Sequence, residues 1–250
     1  MRVGLIADIH GNLVALDAVL FELAREHVDQ LVCLGDVAVL GPQPREVVAR
    51  LQDLACPCVL GNTDAWLLPD PPLLADGPSV GPMTDLNRWT AAQLGPNDFA
   101  FLRRLPPTVD LMLSPDLTMH CFHASSRSLD DVIAATTPIA DLDAMGISRQ
   151  PALFAGGHTH VQLVRRHGEA HIINPGSVGL PGVGPGVPDL PVNHAVAWAE
   201  YAVVSVTDGS LGIKLRRIPI DLEKILTAAA ASGMPHLDWW TSKWRHNPSP

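Results

Sequence analysis

The chain has 250 residues, of which 47% are hydrophobic and 17% charged, a composition that supports a large buried core and excludes an intrinsically disordered protein. Acidic residues outnumber basic ones by 26 to 17, for a formal net charge of -9, so a broad basic surface for nucleic acid is not expected. No apolar run reaches the roughly 18 residues of a membrane span. We therefore expect a cytoplasmic protein without membrane association, in which the four cysteines are reduced.

The N-terminal part of the chain alternates between strand and helix patterns. Short apolar runs at 3–7, 31–34 and 58–60 predict strands, and apolar residues at helical spacing predict helices at 13–25 and 44–54. Each of these strands runs into polar residues at its C-terminal end. Since open α/β sheets place their binding sites at such ends, these polar residues are candidates for a functional site.

The middle of the chain breaks this alternation. Several prolines exclude continuous regular structure after residue 65, and two short helices are predicted at 84–94 and 97–104. The segment 65–107 is therefore a candidate for a helical cap inserted into the domain.

The C-terminal half is rich in predicted strands, mostly joined as hairpins. We predict these strands at 108–113, 117–122, 151–155, 161–166, 170–174, 195–206 and 210–218. A helix at about 220–231 and a flexible tail at 245–250 follow, whereas the Gly- and Pro-rich loop 175–194 is either functional or mobile. Strand–helix units followed by a strand-rich half predict an α/β fold with two packed sheets flanked by helices. No linker divides residues 1–250 into separate domains.

Five polar clusters follow the apolar strands in chain order. They are Asp8-Ile9-His10, Gly35-Asp36, Gly61-Asn62-Thr63-Asp64, His123 and Gly157-His158-Thr159-His160. Their oxygen and nitrogen donors, without a thiolate, suit Mn, Fe, Zn, Ni or Mg better than a Cys-based zinc site. Because residues i and i+2 of an extended segment face the same way, Asp8 with His10 and His158 with His160 are expected to present pairs of ligands.

This ordered set resembles the motifs of the calcineurin-like metallophosphoesterases, in which D-x-H, GD, GN-(H/x)-(D/E), an isolated His and GHxH follow one another. The stretches GDVAVLGP at 35–42 and INPGSVGLP at 173–181 resemble the small bacterial and archaeal branch of that family, which is phosphodiesterase-like. The resemblance implies a four-layer α/β/β/α sandwich, built from two mixed sheets flanked by helices, and a dinuclear metal centre.

The resemblance also assigns ligands in two sets that share one carboxylate. The sets are Asp8, His10, Asp36 and His160 for one ion, and Asp36, Asn62, His123 and His158 for the other. A shared carboxylate offsets the repulsion between two ions roughly 3.5–4 Å apart, and a hydroxide that bridges them is a nucleophile near neutral pH. Manganese is the preferred metal in this interpretation, with Fe, Zn, Ni and Mg as alternatives.

One departure from the family pattern concerns the residue after Asn62. Many members have a His there, interpreted as the general acid for the leaving group, whereas this chain has Thr63, whose hydroxyl is too weak an acid at neutral pH. Asp64 is expected to orient a neighbouring ligand or to bind water, with a role as general acid as the minority interpretation. The phosphate-binding Arg of the protein phosphatases is missing after Asp36, and Arg127 is its hypothetical substitute, with a solvated loop Arg as the alternative. Asp36, Asn62, Asp64 and Arg127 are the candidate catalytic residues.

Several other side chains are predicted to be structural. Asn12 is expected to cap the helix at 13–25, with a contact to phosphate as the alternative. Asn174 and Ser177 are expected to fix a turn beside the site. For three C-terminal tryptophans, packing on the core is preferred over a partner surface. These tryptophans are Trp239, Trp240 and Trp244.

The sequence thus predicts a hydrolase, a dinuclear metal-dependent phosphoesterase that cleaves phosphodiester or activated phosphoester bonds of a small substrate. A phosphomonoesterase and a dinucleoside polyphosphate hydrolase are the alternatives among enzymes. A scaffold that keeps the fold without catalysis is a further alternative, and the complete ligand set argues against it. The sequence does not indicate the oligomeric state.

Overall fold

The computed structural model describes residues 1–68, 81–150, 152–182 and 194–245. In these ranges the elements are β1 (Arg2–Ile6), α1 (Leu13–Arg25), β2 (Gln30–Cys33), α2 (Pro44–Leu54), α3 (Asn62–Ala65), α4 (Pro82–Gln93), α5 (Pro96–Leu102), β3 (Thr108–Ser114), β4 (Leu117–Phe122), α6 (Ile139–Ala144), β5 (Leu153–Ala155), β6 (Leu163–His167), β7 (Ala170–Asn174), β8 (Ala195–Val196), β9 (Trp198–Thr207), β10 (Ser210–Pro219), α7 (Leu222–Ser232), α8 (Leu237–Thr241) and β11 (Trp244–Arg245).

Parts of four predicted segments lie outside the described residues. These parts are 69–80 of the predicted cap, 151 of the predicted strand 151–155, 183–193 of the Gly- and Pro-rich loop, and 246–250 of the predicted tail. No helix in the described ranges is long and apolar enough to cross a membrane.

Two mixed sheets form the centre of the fold. The first has the strand order β10-β9-β1-β2, in which β1 runs parallel to β2 and antiparallel to β9. The second has the order β3-β4-β5-β7-β6, in which β5 runs parallel to both β4 and β7. The pairs β3–β4, β6–β7 and β9–β10 are antiparallel hairpins. The short strands β8 and β11 form a separate parallel pair.

Three apolar clusters hold these sheets and helices together as four layers. Between the sheets, Leu5 of β1 and Met119 of β4 belong to one buried cluster. On the outer face of the first sheet, Leu16 of α1 belongs to a second cluster. On the outer face of the second sheet, Leu142 of α6 and Phe154 of β5 belong to a third. The burial of this apolar surface stabilises the fold by roughly 25 cal/mol per Å². The predicted α/β/β/α sandwich is therefore confirmed.

The helices of the 65–107 segment lie on the first sheet's outer core. Leu86 of α4 and Leu102 of α5 are fully buried in the same cluster as α1 and α2. Both helices begin one or two residues earlier than predicted, at Pro82 and Pro96. Proline suits the first helical turn because its missing N–H would have no partner there.

Several predicted boundaries are wrong. The predicted strand 58–60 is a single bridge between Cys33 and Cys58, and the predicted strand 195–206 is interrupted at Ala197. The short helices α3, α6 and α8 were not predicted, because helices of four to six residues are too short to show a 3.6-residue apolar periodicity.

Candidate metal centre

The polar clusters meet where the central strands of both sheets end. Asp8 and Asp36 follow the parallel strands β1 and β2, whereas His123 and His158 follow the parallel strands β4 and β5. The Asp8 amide donates to the carbonyl of Gly35 at 3.0 Å, and the Gly157 amide donates to the carbonyl of His123 at 2.7 Å. Backbone hydrogen bonds alone therefore hold the neighbouring loops together at this edge.

Two groups of buried ligand atoms form at this edge. In each group the possible ligand atoms all lie within 4.8 Å of one another. The groups are Asp8, His10, Asp36 and His160, and then Asp36, His123 and His158. Asp36 belongs to both groups, since its Oδ2 lies 3.6 Å from His10 Nε2 and its Oδ1 lies 3.5 Å from His123 Nε2.

The two imidazoles of the first group are arranged to bind a cation between them. His10 Nε2 and His160 Nε2 lie 3.0 Å apart. Each ring places its Nδ1 against a backbone carbonyl, that of Val39 at 2.9 Å and that of Leu180 at 2.9 Å. Since a carbonyl only accepts, both Nδ1 atoms carry a proton, and when the rings are neutral two Nε2 lone pairs face each other. A divalent ion bound by both nitrogens removes this repulsion, so the residues fit a metal.

In the second group an amide oxygen lies next to two imidazoles. Asn62 Oδ1 is 3.0 Å from His123 Nε2 and 3.2 Å from His158 Nδ1. His123 Nδ1 donates to the Leu34 carbonyl at 2.8 Å, which leaves its Nε2 lone pair directed into the site. His158 differs from the other three histidines because it presents Nδ1. The structure thus brings all seven sequence-predicted ligands together.

The backbone of the ligand residues is strained. Five of them have positive φ: Asp8 (53°), His10 (49°), Asp36 (56°), His158 (69°) and His160 (55°). Such left-handed conformations cost on the order of 1–3 kcal/mol each in non-glycine residues and cluster at functional sites. The expectation of extended segments is therefore wrong. Asp8 and His10 still belong to the same group of ligands, whereas His158 and His160 belong to different groups.

Burial and neighbouring charges set the protonation of the ligands before any metal binds. Burial alone would raise the pKa of Asp8, but the charges of His160, His123 and His10 outweigh it and lower that pKa to about 2. Burial lowers the pKa of His10 to about 4. Burial would lower the pKa of His123 and of His160, but the charges of Asp36 and Asp8 outweigh it and raise both. A charged carboxylate and a neutral imidazole are the forms that bind metal ions, so metal binding releases any proton that these two rings carry on the ligating nitrogen.

Asp64 lies behind the ligands. Its carboxylate accepts hydrogen bonds from the amides of Val37 at 2.9 Å, Ala38 at 3.4 Å and Gly61 at 3.2 Å. These bonds join the loop after Asp36 to the loop that carries Asn62. Burial and the adjacent Asp36 charge raise the pKa of Asp64 to about 7. This placement suits a residue that positions the ligands Asp36 and Asn62. The positioning role of Asp64 stays a prediction.

The residues predicted to be structural support the centre from outside. Asn12 Oδ1 accepts from the Ala15 amide at 3.0 Å and so caps α1, as predicted. Asn174 Nδ2 donates to the Gly157 carbonyl at 2.6 Å, and Ser177 Oγ donates to the Asp8 carbonyl at 2.7 Å. The two side chains therefore hold the end of β7 and the loop that follows it against the ligand-bearing turns.

A cavity of about 460 Å³ opens beside the ligands. Its lining includes His10, Asp36, Asn62, His158 and His160. Thr63 also lines the cavity, and its hydroxyl oxygen is buried and without a hydrogen-bond partner in the described part of the chain.

Four tryptophans form much of the apolar wall of this cavity, namely Trp66, Trp239, Trp240 and Trp244. Trp240 and Trp244 are buried in the outer core of the first sheet, as predicted. Sequence reasoning missed that they also line the cavity. No local sequence signal reveals this, because the wall combines segments that are far apart in the chain.

Arg127 has other partners in the structure. Its guanidinium pairs with Asp131, at 2.8 Å from Nε to Oδ2, and donates to the Ala144 carbonyl at 3.0 Å. Its side chain is half exposed and is not among the described residues that line the cavity. A phosphate clamp at this position would require the guanidinium to leave Asp131.

We expect Arg127→Ala to leave kcat/KM and KM for an aryl phosphodiester within about twofold of wild type, since an exposed ion pair contributes little. Steady-state kinetics of the metal-loaded variant checks this, with Arg149→Ala as the control because Arg149 also forms an exposed pair with an aspartate. A rise in KM confined to Arg127→Ala would show that the clamp exists.

Comparison with known proteins identifies the family. The family model of the calcineurin-like phosphoesterase superfamily domain matches residues 1–189. The chain belongs to the calcineurin-like phosphoesterase superfamily. As a calcineurin-like phosphoesterase, it is a hydrolase of phosphoric ester bonds, and its buried His and Asp cluster makes it metal-dependent.

Related structures extend over almost the whole of this phosphoesterase. The crystal structure of a metallophosphoesterase from Sphaerobacter thermophilus is 28% identical, with a TM-score of 0.72, and the match covers 97% of this chain and 99% of that one. The hypothetical protein PH1004 from Pyrococcus horikoshii shares the fold at 20% identity and a TM-score of 0.73, over 96% of each chain. An uncharacterized protein of Methanocaldococcus jannaschii, MJ0912, is 26% identical over 248 residues, which cover 93% of each protein.

Proposed function

We propose that this phosphoesterase hydrolyses phosphodiesters of small molecules with two divalent ions, manganese being the preferred metal. The shared position of Asp36 supports two ions, because its two carboxylate oxygens face different groups of histidines. A carboxylate between two cations offsets their mutual repulsion. Ions roughly 3.5–4 Å apart are typical of centres that bind the attacking and leaving oxygens of a phosphoryl group.

The side chains of the centre prepare it for this chemistry. When bound, two divalent ions supply a strong nucleophile from water near neutral pH and neutralise charge on the phosphoryl oxygens. His10, His123 and His160 are held in the ligating tautomer by backbone carbonyls, so no reorientation is needed when a metal binds.

The surroundings favour a diester over a dianionic monoester. The described lining residues of the cavity contain no arginine, and Lys243 is their one basic side chain apart from the histidines. The described lining therefore offers a monoester dianion no bidentate arginine of the kind that usually binds it. A diester carries one negative charge less and brings a second organic group, for which the apolar wall offers a place. The combination of an apolar wall with a lining that contains no arginine among the described residues is the observation that carries the proposal.

The position next to Asn62 leads to the same substrate class. Thr63 can donate a hydrogen bond from its hydroxyl, but it cannot protonate a poor leaving group at neutral pH. Activated esters leave without such help. We therefore infer that the enzyme cleaves phosphodiesters with good leaving groups faster than alkyl phosphomonoesters.

The test compares bis(p-nitrophenyl) phosphate with p-nitrophenyl phosphate, using protein reconstituted with Mn²⁺ after chelation. We expect kcat/KM to be about tenfold or more higher for the diester, and both activities to disappear in the metal-free protein. Faster monoester hydrolysis would contradict the diester preference. An inactive protein that binds Mn²⁺ fully would support a scaffold instead.

A further inference from the structure

The cavity beside the metal ligands has an aromatic wall. The chain contains six tryptophans, and four of them line this cavity, from the segment after α3 and from the C-terminal helix and strand. A volume of about 460 Å³ is in the range of sites that bind small molecules. The cavity is continuous with the ligands, so an occupant can place a phosphoryl group at the metal centre.

Part of this wall is rigid. Trp240 donates from Nε1 to the Leu40 carbonyl at 2.6 Å, and its ring centroid lies 5.5 Å from that of Trp244. Both side chains are nearly fully buried, at 3% and 5% exposure. An indole fixed in this way presents a preformed apolar surface, and little entropy is lost when a ligand contacts it.

Trp66, unlike the buried Trp240 and Trp244, is 39% exposed although it is a large apolar side chain. An indole at the edge of a cavity loses its contact with water when a ligand packs on it. Flat aromatic ligands gain most from such a surface, because offset-stacked and edge-to-face contacts add to simple burial.

Two charged side chains complete the wall. Lys243 Nζ lies 4.3 Å from the centroid of the Trp239 ring, and Asp130 is exposed and also lines the cavity. They offer one hydrogen-bond donor and one acceptor next to apolar surfaces. A heteroaromatic ring, with polar atoms on its edges and apolar faces, matches this combination.

We propose that the cavity recognises a planar aromatic group on the phosphoester substrate, either a nucleobase or a simple aryl group. The inference rests on the proposed function, because the metal centre fixes where the phosphoryl group binds. The tryptophan wall then selects the organic group, and Trp66 and Trp239 determine specificity without touching the reacting bond.

Binding of non-hydrolysable probes to the Mn-loaded protein tests this directly. Isothermal titration calorimetry compares phenylphosphonate, cyclohexylphosphonate and methylphosphonate. We expect phenylphosphonate to bind about tenfold tighter than methylphosphonate and about threefold tighter than cyclohexylphosphonate. A second pair consists of monoesters and is titrated within the time in which product analysis detects no hydrolysis: uridine 5′-monophosphate carries a base at the position where ribose 5-phosphate carries a hydroxyl. Tighter binding of the nucleotide identifies a nucleoside substrate, and equal binding with a phenyl preference identifies an aryl one.

Variants assign the effect to the wall. Trp66→Ala and Trp239→Ala, which lie on different elements, should each weaken phenylphosphonate about fivefold, with bound Mn²⁺ and methylphosphonate affinity unchanged. Phe21→Ala removes an aromatic ring that is 64% exposed elsewhere on the surface, and it should change neither affinity.

Equal affinities for the phenyl, cyclohexyl and methyl probes would overturn the inference. An equal loss for phenyl and methyl probes in both tryptophan variants would also overturn it. The readout is binding, so the two proposals can fail separately. A protein that prefers the aromatic probe but hydrolyses no diester would contradict only the proposed function. A protein that hydrolyses diesters without preferring the aromatic probe would contradict only this inference.

Discussion

The Asp36→Asn variant is expected to lose about 10³-fold in kcat/KM for bis(p-nitrophenyl) phosphate. The substitution keeps the shape of the side chain but removes the charge that both ligand groups share. It also replaces one of the two carboxylate oxygens that each face a histidine. The remaining side-chain oxygen of the asparagine can still accept the hydrogen bond that the Thr63 backbone N–H donates at 2.9 Å. The fold should therefore survive, whereas the variant should no longer bind its full complement of metal.

Elemental analysis of the purified variant, beside its kinetics, checks this expectation. Asp116→Asn is the matched control, since Asp116 is exposed in the turn between β3 and β4, and it should keep both metal and activity. If Asp36→Asn retained its full metal content and more than about a tenth of the activity, Asp36 would not be the shared ligand.

The Gly61→Ala variant is expected to lose about 10²-fold in activity, because a misplacement of about 1 Å near reacting groups can cost that much. A Cβ atom at Gly61 would overlap the backbone amide and the carboxylate of Asp36. Either the loop that carries Asn62 or Asp36 itself must move. Overpacking of this kind also destabilises a protein by about 1–3 kcal/mol, so the urea midpoint should fall.

Gly95 provides a closely matched control for Gly61. Both glycines are N-caps of short helices, with φ of -92° in each case and ψ of 165° and 174°. Each donates its amide to an aspartate three residues later, Asp64 or Asp98. A Cβ at Gly95 meets only an ordinary contact, at 3.5 Å from Asp98 Oδ2. Gly95→Ala should therefore be nearly neutral, and an equal loss in both variants would contradict a specific clash with Asp36.

The ligand set could be predicted because each ligand belongs to a short motif at the end of an apolar strand. Asp8 follows a buried run, and the histidine pair 158 and 160 follows another, so local patterns and a family resemblance sufficed. The conformation of these turns could not be predicted, because positive φ at Asp8 or His158 is stabilised by tertiary hydrogen bonds. One example is the bond from the His158 amide to the Asp8 carboxylate at 3.0 Å.

The cavity wall could not be predicted for a related reason. Trp66 and Trp240 lie far apart in the sequence, and only the packed helices bring them to the same cavity. The two-residue strands β8 and β11 that anchor the C-terminal segment are too short to give a periodic pattern. Likewise, the partners of Arg127 come from the following loop and from α6, and that helix gave no sequence signal.

The number of metal ions tests the proposed centre most directly. Protein stripped by a chelator is titrated with Mn²⁺, and the bound metal is measured by calorimetry and by elemental analysis after dialysis. We expect two ions per chain, reduced to one or none in Asp36→Asn, with phosphodiester hydrolysis returning as the second ion binds. A wild-type protein that saturates at a single ion, and is fully active with it, would contradict the dinuclear centre.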